Sequence, residues 1–118
     1  MDINEKIIAL KKEKNAVILA HYYQPYEIRQ LADIVGDSLE LARKSKNTDA
    51  DILVFCGVSF MGESAALLCP NKRVLLPAPN AGCYMADTIT PNDVKKLKEA
   101  HPNSAVVCYI NSTAATKA

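Results

Sequence analysis

The sequence predicts an α/β fold: a three-layer αβα sandwich built on a four-stranded parallel sheet. Three observations predict it. Short apolar runs recur at Ala16–Ala20, Asp51–Cys56, Arg73–Pro77 and Ala105–Ile110, the mark of strands covered on both faces. Amphipathic segments with helix-start signals separate these runs, which implies right-handed crossovers. The length, 118 residues with 49% hydrophobic and 23% charged, suits one domain with a real core, burying roughly two thirds of the unfolded surface.

Each element has a local cause. Asp2-Ile-Asn-Glu5 reads as a capping box, and Ile3, Ile7 and Leu10 follow at helical spacing, so a helix is expected to end near Lys14. Ala16–Ala20 is the first strand and His21–Pro25 a loop. Tyr26–Val35 carries Ile28, Leu31 and Ile34 on one helical face, with Gly36 as its stop. Asp37-Ser-Leu-Glu40 reads as a second capping box, opening a helix to about Lys46. Asp51–Cys56 is the second strand, and Ser59–Leu68 a helix closed by Pro70. Arg73–Pro77 is the third strand, and a loop follows from Ala78 to Ile89. Thr90 with Pro91 starts a helix that ends before Pro102. Ala105–Ile110 is the fourth expected strand.

The composition excludes several functional classes. A net charge of +1 gives no global basic field, so neither nucleic acid nor a membrane surface is expected as partner. The charged N-terminus and the lack of any long apolar run predict a cytoplasmic protein. In that reducing setting Cys56, Cys69, Cys83 and Cys108, none at C-x-x-C spacing, are not expected to form disulfides. Cys56 and Cys108 lie within apolar runs and read as small buried hydrophobes.

In an open parallel sheet, ligands sit outside the carboxyl ends of the strands. Residues that follow the runs therefore matter most: His21 and Tyr23, then Cys56 and Gly57, then Gly82 and Cys83, and lastly Tyr109 to Thr113. An imidazole can move a proton or hold a carboxylate near neutral pH, or serve only as a structural hydrogen-bonding group. The helix opening at Gly36-Asp37-Ser38 could take an anion on its N–H groups and the Ser38 hydroxyl, or be simply capped by Asp37. Cys83 lies in a loop after Gly82, and one thiol is not a metal site by itself. No dinucleotide or P-loop glycine motif is present.

Five ordered motifs carry a family likeness: Leu19-Ala-His21-Tyr-Tyr23-Gln, Val35-Gly-Asp-Ser38-Leu-Glu-Leu-Ala-Arg43, Phe55-Cys-Gly-Val-Ser-Phe-Met61, Ala81-Gly-Cys83-Tyr-Met-Ala86 and Val107-Cys-Tyr109-Ile-Asn111-Ser-Thr-Ala. Together they resemble the quinolinate synthases of NAD biosynthesis, from the first helix to the last residue. The resemblance implies a transferase that condenses iminoaspartate with dihydroxyacetone phosphate. It implies three similar α/β domains around a [4Fe–4S] cluster that acts as a Lewis acid, each domain giving one cysteine. On that likeness residues 1–118 are the first domain, with two further domains outside this chain.

Cys83 falls at the first cluster ligand, the other two ligands lying elsewhere, and Cys56, Cys69 and Cys108 match none. His21, Ser38 and Tyr109-Ile110-Asn111 match substrate-binding positions, and Tyr23 a position assigned to proton transfer. The implied partners are the two small substrates, the other domains, and an L-aspartate oxidase as the source of labile iminoaspartate. The chain alone is expected to hold no stable cluster and to be inactive. The competing expectation is a non-catalytic module that binds a small dicarboxylate or another protein.

Overall fold

The computed structural model describes residues 1–118. Its elements run α1 (Ile3–Glu13), β1 (Ala16–His21), α2 (Tyr26–Leu31), β2 (Ile34–Gly36), α3 (Ser38–Ser45), β3 (Ile52–Cys56), α4 (Ser59–Leu68), β4 (Arg73–Leu75), a 3-10 turn (Ala86–Thr88), α5 (Pro91–Ala100) and α6 (Ala114–Lys117). The four strands form one sheet in the order β2-β1-β3-β4, and every neighbouring pair is parallel. Helices α1 and α2 pack on β1 and on each other, while α3 and α4 pack together against the sheet. The predicted α/β class and the four-stranded parallel sheet are therefore observed.

The layers are unequal. Leu19, Leu53 and Phe55 point to the α3/α4 side and join Leu41, Phe60, Met61, Ala65 and Cys69 in one buried cluster. Neither α1 nor α2 has a buried residue. Complete burial of one side chain such as Leu53 is worth about 1.5–3 kcal/mol, so most of the apolar stabilisation lies on the α3/α4 side. Gly62 allows the close approach there, because a Cβ on it would stand 2.7 Å from Leu76 Cδ2 and 2.9 Å from Cγ.

Two strands differ from expectation. Ile34–Gly36 is the edge strand β2, not the last turn of a helix. The reason is Asp33. Its N–H donates to Ile18 O at 2.8 Å, and its Oδ2 accepts the Ile18 N–H at 2.8 Å. Lys11 Nζ donates to Oδ1, also at 2.8 Å. These bonds bring the chain alongside β1 straight after Ala32. A three-residue strand is too short to show a period in the sequence.

Ala105–Ile110 is not a strand. The peptide groups from Ala105 to Cys108 make no backbone hydrogen bond, and Val107 is 95% exposed. Strand propensity describes a segment that fits a pleated, half-covered surface and does not supply the partner. Here β2 takes the fourth place, and β4 runs only from Arg73 to Leu75. Cys108 is accordingly exposed, against the expectation of burial, and Cys69 is the buried cysteine. The third run pairs only as far as Leu75, not to Pro77.

The molecule is elongated, 59 × 27 × 19 Å with a radius of gyration of 16.3 Å, and α5 packs on α6. A compact domain of this length would have about 13.5 Å. Helix α6 ties the end back to α4: the Ala114 N–H donates to Glu63 Oε2 at 2.6 Å, and Lys117 Nζ to Ser64 Oγ at 3.2 Å. No helix is long and apolar enough to cross a membrane.

Candidate functional site

Parallel pairing decides what meets at the carboxyl edge. His21 at the end of β1 is in register with Gly36 at the end of β2, so the next residues of both strands emerge side by side. The Tyr22 N–H extends the ladder to Gly36 O at 3.0 Å, and the Gln24 N–H returns to His21 O at 2.9 Å, closing a tight turn. That turn, the start of α3 from Asp37 to Leu39, and the segment Cys108 to Asn111 enclose a cavity of about 550 Å³. The structure thus brings His21, Tyr23, Ser38, Tyr109, Ile110 and Asn111 into one cleft. Tyr22 and Asp37, which the sequence set at this edge without a role toward a ligand, stand there too. The strand alignment that carries them could be read only with the position of β2 known.

The imidazole is held on three sides. Its ring stacks on Tyr22 at 4.6 Å between centroids and tilts against Tyr23 at 4.8 Å, and its Nδ1 accepts the Tyr23 N–H at 3.2 Å. Partial burial pushes the His21 pKa below 6.5, with the Asp37 carboxylate opposing that fall. The Tyr22 phenol is pushed above its ordinary value, first by the adjacent Tyr23 phenol, then by burial, and then by Asp37 and Tyr109. Tyr23 and Tyr109 are exposed, so both phenols reach solvent at the mouth of the cleft.

At α3 the Asp37 side chain accepts the Glu40 N–H at 2.8 Å. Glu40 does not return the expected second half of the capping box; its carboxylate pairs with Lys44 at 2.7 Å. Asp37 thus satisfies one N–H of the helix start itself, and the Ser38 side chain remains for a ligand. Across the cleft the Asn111 Oδ1 is buried without a hydrogen-bond partner. An orphaned buried acceptor costs about 1–3 kcal/mol until a donor reaches it, and such costs concentrate where ligands bind.

Cys83 lies apart from this cleft. The loop that carries it is fastened to α4, because the Ser59 N–H donates to Ala81 O at 2.8 Å. The half-buried Cys83 packs on the main core and lines a second, mostly apolar cavity of about 720 Å³ together with Cys108, Tyr109 and Asn111. The two cavities therefore share one wall, made by Cys108, Tyr109 and Asn111. No three His, Cys, Asp or Glu side chains come together as a metal-holding group. Cys83 can offer one thiolate to a metal or cluster, and the donors present here do not compose a whole site. Cys69 donates its S–H to Ser45 Oγ at 3.6 Å inside the core, and burial pushes the Cys56 thiol up. Both are structural.

A parallel α/β sheet with an imidazole, a serine, tyrosines and an orphaned amide at its carboxyl edge defines a small-ligand-binding α/β protein. The comparison with known proteins narrows the class. The family described as quinolinate synthetase A protein matches residues 5–118, and the chain belongs to that family. It is 58% identical over 118 residues to the quinolinate synthase of Clostridium perfringens (strain SM101 / Type A), covering 100% of this chain and 39% of the relative. It is 58% identical over 116 residues to quinolinate synthase 2 of Methanosarcina acetivorans, covering 98% of this chain and 37% of the relative. For the quinolinate synthase of Aquifex aeolicus the identity is 57% over 117 residues, 99% of this chain and 36% of the relative. The chain thus spans well under half the length of the curated relatives it matches.

Proposed function

We propose that this chain forms the iminoaspartate-binding wall of a quinolinate synthase, the enzyme that joins iminoaspartate to dihydroxyacetone phosphate in NAD biosynthesis. One observation carries the reading: residues from three distant stretches, His21 with Tyr23, Ser38, and Tyr109 to Asn111, meet in one cleft. Ser38 Oγ and the His21 ring offer donors to a carboxylate, which suits a dianion without a cluster of lysines. The Asn111 side chain offers a buried polar end that a substrate donor would satisfy. Tyr23, exposed at the mouth, has a phenol placed to pass a proton between ligand and solvent.

Cys83 supplies one of three thiolates for a [4Fe–4S] cluster in this reading, the others coming from domains outside this chain. Such a cluster leaves one iron open and supplies Lewis acidity. Because one thiol cannot hold it, the isolated chain assembles no stable cluster and makes no quinolinate. Anaerobic reconstitution of the chain with iron and sulfide tests this; a stable stoichiometric cluster would refute it. In a full-length relative, replacing the cysteine equivalent to Cys83 by Ala should abolish the cluster absorbance and leave the fold.

The binding claim has its own test. Titrating the 15N-labelled chain with malate, a stable four-carbon dicarboxylate, should shift the amides of Ser38 and Asn111 and the His21 ring. Ser38→Ala should weaken those shifts. Shifts confined to other residues, or none, would overturn the assignment.

A further inference from the structure

The turn after β1 also decides which nitrogen of His21 carries the proton. We propose that the main-chain N–H of Tyr23 holds His21 in the neutral form protonated on Nε2, so that the ring serves the cleft as a fixed hydrogen-bond donor and not as a proton-transfer base. The inference deepens the dicarboxylate reading above and rests on it only for the identity of the ligand.

The geometry is local and over-determined. The Tyr23 N–H reaches Nδ1 at 3.2 Å, and a nitrogen that accepts a hydrogen bond in its ring plane cannot itself be protonated. Two backbone bonds set the position of that N–H: Gln24 N to His21 O at 2.9 Å closes the turn, and Tyr22 N to Gly36 O at 3.0 Å fixes it to β2. The Tyr22 and Tyr23 rings keep the imidazole from rotating away. The sole ring proton is left on Nε2. A second proton would have to enter at Nδ1 and break the bond from Tyr23.

The titratable groups that share the cleft with the ring are Asp37 from the start of α3, Tyr22 and Tyr23 from its own turn, and Cys108 and Tyr109 from the opposite segment. Of these the Asp37 carboxylate favours protonation of the ring, and burial outweighs it. Tyr23 therefore acts twice: its phenol faces the ligand, and its peptide group positions the imidazole two residues before it. A neutral donor of fixed direction binds a carboxylate equally well across neutral and alkaline pH, which a titrating imidazolium does not.

The tautomer can be read directly in the intact 118-residue chain labelled with 15N-histidine, using long-range proton–nitrogen correlation at pH 8. The chain has only two histidines, and exposed His101 is the internal reference for a ring that exchanges between tautomers. The His21 Nδ1 is expected at the extreme of an unprotonated nitrogen and its Nε2 at that of a protonated one. Tyr23→Phe, which keeps the peptide N–H, should leave that pattern unchanged. Tyr23→Pro, which removes it, should move both nitrogens toward the His101 values. If the proline variant does not fold, the wild-type spectrum still decides. A His21 pattern equal to that of His101, or with the proton on Nδ1, would overturn the proposal. Adding malate separates the two readings: the wrong tautomer with malate-dependent shifts sinks only this inference, and the right tautomer without them sinks only the dicarboxylate reading.

Discussion

Gly57 follows β3 at the carboxyl edge, and replacing it by Ala tests how tightly core and cleft are joined. No glycine in the chain has a positive φ, so the backbone would accept Ala. By itself that change narrows the set of unfolded conformers and stabilises by about 0.4–1 kcal/mol. Space opposes it. A Cβ on Gly57 would fall well inside contact distance of Met61 Cε, 3.3 Å from Met61 Sδ and 3.6 Å from His21 Cβ. Met61 is 3% exposed and part of the main core, so its thioether end must swing aside among packed neighbours to clear the new methyl. Overpacking of this kind costs roughly 1–3 kcal/mol, and the net destabilisation should be about 1–2 kcal/mol after the backbone gain. Urea unfolding reads this as a midpoint lowered by roughly 0.5–1 M with m unchanged.

Met61→Ala alone should cost about 2–5 kcal/mol through its cavity. The double variant should lose about 1–2 kcal/mol less than the sum, because the methyl introduced by Gly57→Ala enters the space that Met61 vacates. A Gly57→Ala protein as stable as the wild type, or single changes that add within about 0.5 kcal/mol, would refute the reasoning.

Three further outcomes follow from named groups. Asp37→Ala should cost about 1 kcal/mol in thermal or urea unfolding through the lost cap of α3, and Asp37→Ser should recover most of it; equal stability of both variants and wild type would contradict the capping role. Because the His21 pKa lies below 6.5 in the folded chain, the unfolded chain binds more protons in that window. Stability relative to a His21→Gln variant should thus be full above about pH 6.5 and fall as the pH drops through that value; a relative gain on acidification would reverse the sign. Native alkylation should label exposed Cys108 first and buried Cys69 last, which peptide mapping over time would show or deny.

The fold class was legible because three of the four expected runs pair as strands, and because the caps at Asp2, Asp37 and Thr90 mark three helix starts. What stayed hidden is non-local. Ile34-Val35-Gly36 becomes a strand only through the bonds of Asp33 to β1, and no short window of the sequence contains both partners. The opposite error has the same root: Ala105–Ile110 has the composition of a strand and no neighbour. The cleft was legible in its residues through the five motifs. The groups that surround His21 were not, since Tyr22 and Asp37 enter the cleft through the register of β1 with β2.

The unpaired stretch Ala105-Val-Val-Cys-Tyr-Ile110 has a practical consequence for anyone handling the chain. It is six residues without charge, glycine or proline, and its unbonded peptide groups from Ala105 to Cys108 can template growth of a cross-β stack. Pro102, two residues after α5, and Asn103 guard one flank, while the far flank is tied by Ser112 to the Tyr109 and Ile110 carbonyls and by Lys117 of the short α6 to Ile110 O. Concentration and mild heating should therefore drive fibrillar aggregation from this end while the sheet stays folded. A single lysine in place of Val107, which contacts almost nothing, is the gatekeeper that would keep the chain in solution.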